Sequence, residues 1–334
     1  MGHEVEEFEI TPWKTRWLYL SYLIGMVLSF IRFRKVKPDV IVTEDMESSL
    51  LGIAIKLVFR TPFVFDFIDD YSAIIKHDGQ RLRYLFSGWL ERIIPRMADY
   101  VIVADSRKLD FCLKLGLSEE KLFLIPNGCD ADLFKPETKD TVFAEKLGID
   151  PHNVIVFVGK LNSYYNIEVV IESMTRVVSR IPDVQLILAG EGYNLNNLQN
   201  LCRDLGVSHC VRFIGSYPHA DIPKIINLSD ICILPLPAES ALILYEYMGC
   251  GKAVVAPRGG TEKMGISRKT LSEDCLLKVD NTPEGFAEGI LHLLRNKDIA
   301  LQMGAKARER VVRLYTWDRL SRQYMTVLEK TGSR

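Results

Sequence analysis

Apolar residues along the chain gather into short runs rich in valine and isoleucine, which alternate with longer stretches where charged and apolar positions recur at helical spacing. The first runs are DVIVTE (39–44), PFVFDF (62–67), YVIVADS (100–106) and LFLIPNG (122–128). Runs apolar on both faces, parted by amphipathic segments, predict a parallel sheet with helices on either side. The pattern turns polar after IPNGCDADLFKPE and stays so through residue 150, then resumes with NVIVFVG (153–159), VQLILAG (184–190), VRFIG (211–215), DICILPL (230–236) and KAVVAP (252–257). Helical segments at 167–180, in LNNLQNLCRDLG and at 284–295 fall between these runs, so a second doubly wound domain starts near residue 151. The tail KARERVVRLYTWDRLSRQYMTVLEK continues as a long helical segment, with Thr316 and Asp318 marking a break and restart. A chain of 334 residues suits two cores better than one.

One early stretch breaks the alternation. WLYLSYLIGMVLSFI, residues 17–31, is uncharged and bracketed by Lys14, Arg16, Arg32, Arg34, Lys35 and Lys37. It is short of the roughly 20 residues a spanning helix needs. Three readings stay open: a helix buried against a sheet, contact with an anionic membrane surface, or a spanning helix.

Composition narrows the partners. The chain is 48% hydrophobic and 25% charged with a net charge of −1, which suits a globular protein and gives no case for nucleic acid. Seven scattered cysteines, none spaced C-x-x-C, indicate neither a disulfide framework nor a zinc site and fit a reducing cytoplasm. The six histidines show no ligand spacing, so no metal and no cofactor is expected.

The candidate chemistry lies in the second domain. LILAGEGYNL offers Gly190-x-Gly192, but Leu195 stands where a dinucleotide fingerprint needs its third glycine. In VFVGKLNSYYNI a strand ends at Gly159 and Lys160 follows at once, a turn that could bring amides and a cation to a phosphate or could be only a tight turn with a solvated lysine. In ILPLPAESALILYEYMGCGKAVVAP (233–257), Ser240 is positioned to cap a short helix ended by Gly249 or Gly251. Glu246 falls mid-helix among Leu242, Ile243 and Tyr247, where a carboxylate needs donors that sugar or ribose hydroxyls can supply. Glu239 precedes the helix, whose first amides form an anion site. Together they suggest a nucleotide-sugar ligand, the alternative being two glutamates paired with nearby lysines or arginines.

Read in order, GHEV, KPDVIVTED, ADYVIVADS, IPNGCDADLFKP, VGKL, LILAGEG, VRFIGSYPHADIPKIINLSDICILPLPAES, LYEYMGCGKAVVAP and YTWDRL resemble the retaining glycosyltransferases of family 4 nearly end to end. The resemblance implies an α/β, GT-B fold: two facing Rossmann-like doubly wound parallel-sheet domains. Residues 1–135 would form the acceptor-side domain, 151–315 the donor-binding domain, and the helix 316–330 would pack back on the first. The first strand, glycine-rich loop and first helix of the family pattern would be missing before GHEV, leaving the N-terminal domain truncated.

The same resemblance implies residue roles. Glu246 would hold the donor ribose. Gly159, Lys160, Ile214, Gly215, Ser240, Ala241 and Leu242 would bind the rest of the donor, with the amides of the last three facing its phosphates. Asp69 and Glu239 would stand at the sugar-transfer site. Departures are visible: Ala238 occupies the place of the partner glutamate, eight positions before Glu246, with Glu239 one residue late; Ile68 replaces a histidine; and Tyr165 replaces a second phosphate-binding lysine. The implied activity is transfer of a sugar, with retention of configuration, from a nucleotide diphospho-sugar to a glycan or lipid-linked acceptor. The rival is a non-catalytic glycosyltransferase-like subunit that binds a nucleotide sugar or a partner protein. The expected location is the cytoplasm, with a peripheral membrane position as the variant.

Overall fold

The structure, a computed structural model, describes residues 18–68, 81–235, 241–258 and 274–333. The chain parts into two units: the first takes the chain up to Ala104, Lys108–Ile125 and the chain from Gln323, and the second takes Asp105–Arg107 and Pro126–Arg322.

In the first unit four parallel strands lie in chain order: β1 (Ile41–Thr43), β2 (Phe63–Phe67), β3 (Tyr100–Val103) and β4 (Leu122–Leu124). The helices are α1 (Leu18–Val36), α2 (Met46–Phe59), α3 (Arg81–Met97) and α4 (Ser106–Lys114), and the closing helix α12 (Trp317–Gly332) joins this unit from Gln323 onward. Asp45 caps α2 by accepting the Ser48 amide at 2.6 Å, and Arg60 ends it in the left-handed region. The alternation of β2 sorts its side chains. Phe63, Phe65 and Phe67 pack with Met46 of α2 and with Leu90 and Ile94 of α3, while Val64 meets Tyr100, Ile102 and Val327 of α12.

Where its side chains are described, the early apolar helix packs mainly on α2 and, at its end, also meets Ile41 of β1. Helix α1 packs on α2 through Phe30 and Phe33, whose ring centroids lie 5.1 and 5.0 Å from that of Phe59, and it leaves Val27, Leu28 and Ile31 open. Among the described side chains of α1, Phe33 is buried and Phe30 half-buried against that neighbour. Among the described residues no helix is long and apolar enough to cross a membrane.

Asp66 is buried within β2 and accepts the Tyr324 hydroxyl of α12 at 2.9 Å. Burial pushes its carboxyl from 3.8 up to about 6, against the hydrogen bond from Tyr324 and aided by the charge of Glu44. Below pH 3.8 the folded and unfolded chains are both protonated here; between 3.8 and about 6 only the folded chain keeps the proton. The favourable contribution is therefore present in acid and lost as pH rises through about 6, roughly 3 kcal/mol in all at about 1.4 kcal/mol per pH unit. Asp66→Asn keeps an acceptor for Tyr324 and removes the charge, so it should stabilise the protein by about 1–3 kcal/mol near pH 8, with much less gain near pH 4. Denaturant titrations at the two pH values check this; an equal gain at both would show that ionisation is not the cause.

The second unit carries six parallel strands: β5 (Val154–Val158), β6 (Gln185–Ala189), β7 (Val211–Gly215), β8 (Ile231–Ile233), β9 (Ala253–Pro257) and β10 (Leu277–Val279). Their spatial order is β10-β9-β8-β5-β6-β7, so the chain winds outward from β5 one way, then returns to lay β8 to β10 on the other side. After the lead-in helix α5 (Thr141–Lys146), the connecting helices are α6 (Ile167–Val178), α7 (Leu195–Asp204), α8 (Ile222–Leu228), α9 (Ala241–Gly249), α10 (Pro283–Arg295) and α11 (Lys297–Leu314). Alternate residues of β5 serve two cores. Val154, Val156 and Val158 pack with α8 and α9, and Ile155 and Phe157 pack with α6 and α10. In such sheets a ligand binds beyond the carboxyl ends of the strands, where the order reverses. Here that point lies between β5 and β8.

Candidate functional site

Strands β5 and β8 pair over only two positions, Ile155 with Ile231 and Val156 with Cys232, and then part. The backbone N–H of Val158 donates to the hydroxyl of Tyr247 at 2.7 Å. Tyr247 is fully buried on α9, so the helix that follows β8 is pinned to the end of β5 across the opening crevice. A buried amide without a partner would cost about 1–3 kcal/mol, which is why a hydroxyl, and not only an aromatic ring, suits this position.

The crest beside that crevice is built from three glycines. Gly159 N–H donates to Ala189 O at 3.0 Å, and Gly190 N–H donates to Gly215 O at 2.8 Å. Gly190 has φ +144, and a Cβ there would lie 1.9 Å from the carbonyl oxygen of Gly159. The pair Gly190-x-Gly192 thus serves the close approach of two loops: Gly192 is pressed on Leu161 O in the same way, a Cβ falling 2.3 Å from it. Lys160 leaves this crest exposed, with no ion pair among the described residues.

On α9, Glu246 is 4% exposed. Its carboxylate can only accept, and His219 Nε2 donates to Oε1 at 2.7 Å. Burial raises the Glu246 carboxyl above its ordinary value, and the hydrogen bond and charge of His219 pull it back. His219 sits in the short turn His219–Asp221 after β7, with its ring centroid 5.1 Å from that of Phe134. The second oxygen, Oε2, has no hydrogen-bond partner among the described residues. Among the described residues neither lysine nor arginine pairs with this glutamate; a histidine does.

Of the residues singled out from the sequence, Gly159, Lys160, Ile214, Gly215, Leu242 and Glu246 are described, and all belong to the second unit. Gly159 and Gly215 flank Gly190 at the strand ends, Ile214 is half-buried on β7, and Tyr247 ties the neighbour of Glu246 to the residue two before Lys160. Ala241 opens α9 and Leu242 is exposed in its first turn, where amides lack partners within the helix. Asp69, Glu239 and Ser240, with Ala238, lie outside the described residues. Ile68 is exposed just past β2. Tyr165 is a core residue, 7% exposed and edge-on to Phe157 with centroids 6.1 Å apart, so its side chain points into the unit. Arg258 faces Asp280 at 3.4 Å.

Supporting groups that the sequence did not single out hold the helix in place. Arg308 donates to the carbonyls of Ala131, Phe134 and Gly249, clamping the loop after residue 129 to the end of α9. Lys252, half-buried with its ammonium disfavoured by desolvation, donates to Asn227 O and Ser229 O. Arg308 and His219 are 62 and 27 residues from Glu246, distances at which no local pattern links them; Tyr247 adjoins it, but in the sequence it stands only as part of the apolar surroundings.

The model of the family Glycosyl transferases group 1 matches residues 139–310, and a glycosyl transferase 4-like domain matches residues 3–128. The chain belongs to the group 1 glycosyltransferases. This glycosyltransferase is 27% identical over 304 residues to a D-inositol 3-phosphate glycosyltransferase of Corynebacterium jeikeium (strain K411), with 86% of the chain and 71% of the relative covered. It is 24% identical over 311 residues to an uncharacterized glycosyltransferase of Methanocaldococcus jannaschii, covering 90% and 77%. Among solved structures, Anabaena HepE in complex with UDP and glucose matches with a TM-score of 0.77 at 20% identity, over 97% of this chain and 85% of that one. Sucrose-phosphate synthase from Thermosynechococcus elongatus matches with 0.76 at 20%, over 94% and 78%. The fold of this group 1 glycosyltransferase is accordingly GT-B, two Rossmann-like parallel-sheet units.

Proposed function

We propose that the second unit binds a nucleotide diphospho-sugar and that the protein transfers the sugar, with retention of configuration, to a glycan or lipid-linked acceptor. The observation that carries the donor reading is Glu246: a buried carboxylate beside the reversal point of the sheet, one oxygen held by His219 and the other without a partner among the described residues. Keeping such a group costs burial free energy that ribose hydroxyls, donating to the charged oxygens, would return. Lys160 at the end of β5 and the first amides of α9 would meet the charge that develops as the nucleoside diphosphate departs, a stabilisation placed in advance of the reaction. Glu239 and Asp69 remain our candidates for the sugar-transfer site. HepE is seen with UDP, which makes UDP the first probe.

Glu246→Gln should leave the fold intact and weaken UDP and UDP-sugar binding by about 1.5–3 kcal/mol, because the amide keeps shape but loses a charged acceptor. Calorimetric titration of wild type and variant decides it: unchanged affinity in a folded variant refutes the ribose role. One observation supports the rival reading of a binding subunit without turnover. The position of the second phosphate-binding lysine is Tyr165, turned into the core. Detecting released nucleoside diphosphate from a bound UDP-sugar, in the presence of candidate acceptors, separates a transferase from a binder.

A further inference from the structure

The first unit has a basic, apolar face unrelated to the donor site. Helices α1 and α2 meet at their carboxyl ends through Phe30, Phe33 and Phe59, and beside this contact opens a pocket of about 400 Å³ lined by Phe33, Arg34, Lys37, Pro38, Phe59 and Thr61. Arg34, Lys35, Lys37 and Arg60 are all exposed there, and none has an ion-pair partner among the described residues. A helix carboxyl end attracts cations with only about half a charge. Four unpaired cations exceed what two such ends explain, the more so because Lys56 in the last turn of α2 already bonds Met97 O and Asp99. The whole chain carries a net charge of −1, so this accumulation is local.

The same helices hold exposed apolar side chains where solvation alone would favour polar ones. Val27, Leu28 and Ile31 on α1 are 58, 59 and 51% exposed, and Leu57 and Val58 on α2 are 65 and 62% exposed. On α1 the spacing 27, 31, 34 forms one stripe that passes from apolar to basic toward the pocket. An apolar stripe edged by cations is the composition that rests in a lipid interface, with aliphatic groups at the acyl boundary and cations at the headgroups. A soluble anion would engage the charges but give no account of the open valine, leucine and isoleucine side chains.

We propose that this face docks on an anionic bilayer: Arg34 and Lys37 receive a lipid phosphate in the pocket between Phe33 and Phe59, while Val27, Leu28, Ile31, Leu57 and Val58 enter the interface. The proposal does not depend on the donor site, so it stands or falls separately from the transferase reading.

The test is co-sedimentation of the full chain with vesicles of phosphatidylcholine alone and of phosphatidylcholine mixed with phosphatidylglycerol. Wild type should sediment more strongly with the mixed vesicles than with phosphatidylcholine alone, and added salt should lower the first toward the second without erasing it, because the electrostatic part is screened within about 10 Å at 0.1 M and the apolar part is not. The double variant Arg34→Glu with Lys37→Glu should bind at least about tenfold less, as expected from about 1 kcal/mol for each basic residue near the surface. Ile31→Ser with Val58→Ser should lose the salt-resistant part while keeping the salt-sensitive part. Arg34 and Lys37 are charged, Ile31 and Val58 are apolar, and all four are exposed, so the variants should melt like wild type. Equal sedimentation with both vesicle types, or with neither, overturns the proposal. So does a wild-type dimer that becomes a monomer in the Ile31→Ser with Val58→Ser variant, which would assign the face to a second copy of the chain.

Discussion

Gly190→Ala is expected to destabilise the protein by about 3–5 kcal/mol, a large share of the roughly 5–15 kcal/mol that holds a domain together. Two costs combine. The φ of +144 at Gly190 belongs to a region that a residue with a Cβ rarely adopts, and the added methyl would meet Gly159 O at 1.9 Å. Both partners are backbone, so no flexible side chain can move aside. Relief requires the ends of β5 and β6 to separate, breaking the Gly159 to Ala189 and Gly190 to Gly215 hydrogen bonds that form the crest. Donor affinity should fall in whatever fraction folds, since the shift carries Lys160 with it. Gly206→Ala is the control: its φ of +70 is also unfavourable, but nothing lies within 4 Å of the added atom. Denaturant titration should find Gly190→Ala several-fold more costly than Gly206→Ala. Equal costs would mean that the crest is not closely packed.

The strands were legible because burial on both faces writes itself as continuous apolar runs; VIVFV, QLILA, VRFIG and AVVAP coincide with β5, β6, β7 and β9. The order in which they lie was not, because a run of valines carries no mark of its neighbour, and β10 (Leu277–Val279) is too short and half-exposed to stand out. Glu246 was legible as a carboxylate in need of donors, since its neighbours along the helix are apolar. Its actual partner His219 was not, because the two meet only once β7 and α9 are folded together. Gly190-x-Gly192 looked like a spoiled cofactor motif, although the glycines answer to loop packing. Tyr165 illustrates the opposite failure. A position can be inferred by analogy to face a phosphate, whereas an aromatic side chain gains more by packing on Phe157 than by standing in water.

That burial makes Lys160 the centre of the second large prediction. The diphosphate of a nucleotide sugar carries its charge into a site where Tyr165 supplies no cation and Arg258 is engaged with Asp280, leaving Lys160 as an exposed cation at the crest with no ion pair among the described residues. Lys160→Ala should therefore weaken UDP binding by about 2–3 kcal/mol at low salt, the range for a charge-assisted contact with little to replace it. Adding a lysine at 165 would not restore the charge. Tyr165→Lys would have to bury an ammonium beside Phe157 or break the turn Ser163–Tyr165 to expel it, so it should lower stability and leave UDP affinity no better than wild type. Titrations with UDP at two ionic strengths separate these effects. Wild-type affinity should fall as salt rises, and the weak residual affinity of Lys160→Ala should change less, because the screened interaction is already gone. If Lys160→Ala binds UDP as tightly as wild type, the phosphates do not lie at the end of β5, and the donor must be held by the first turn of α9 alone.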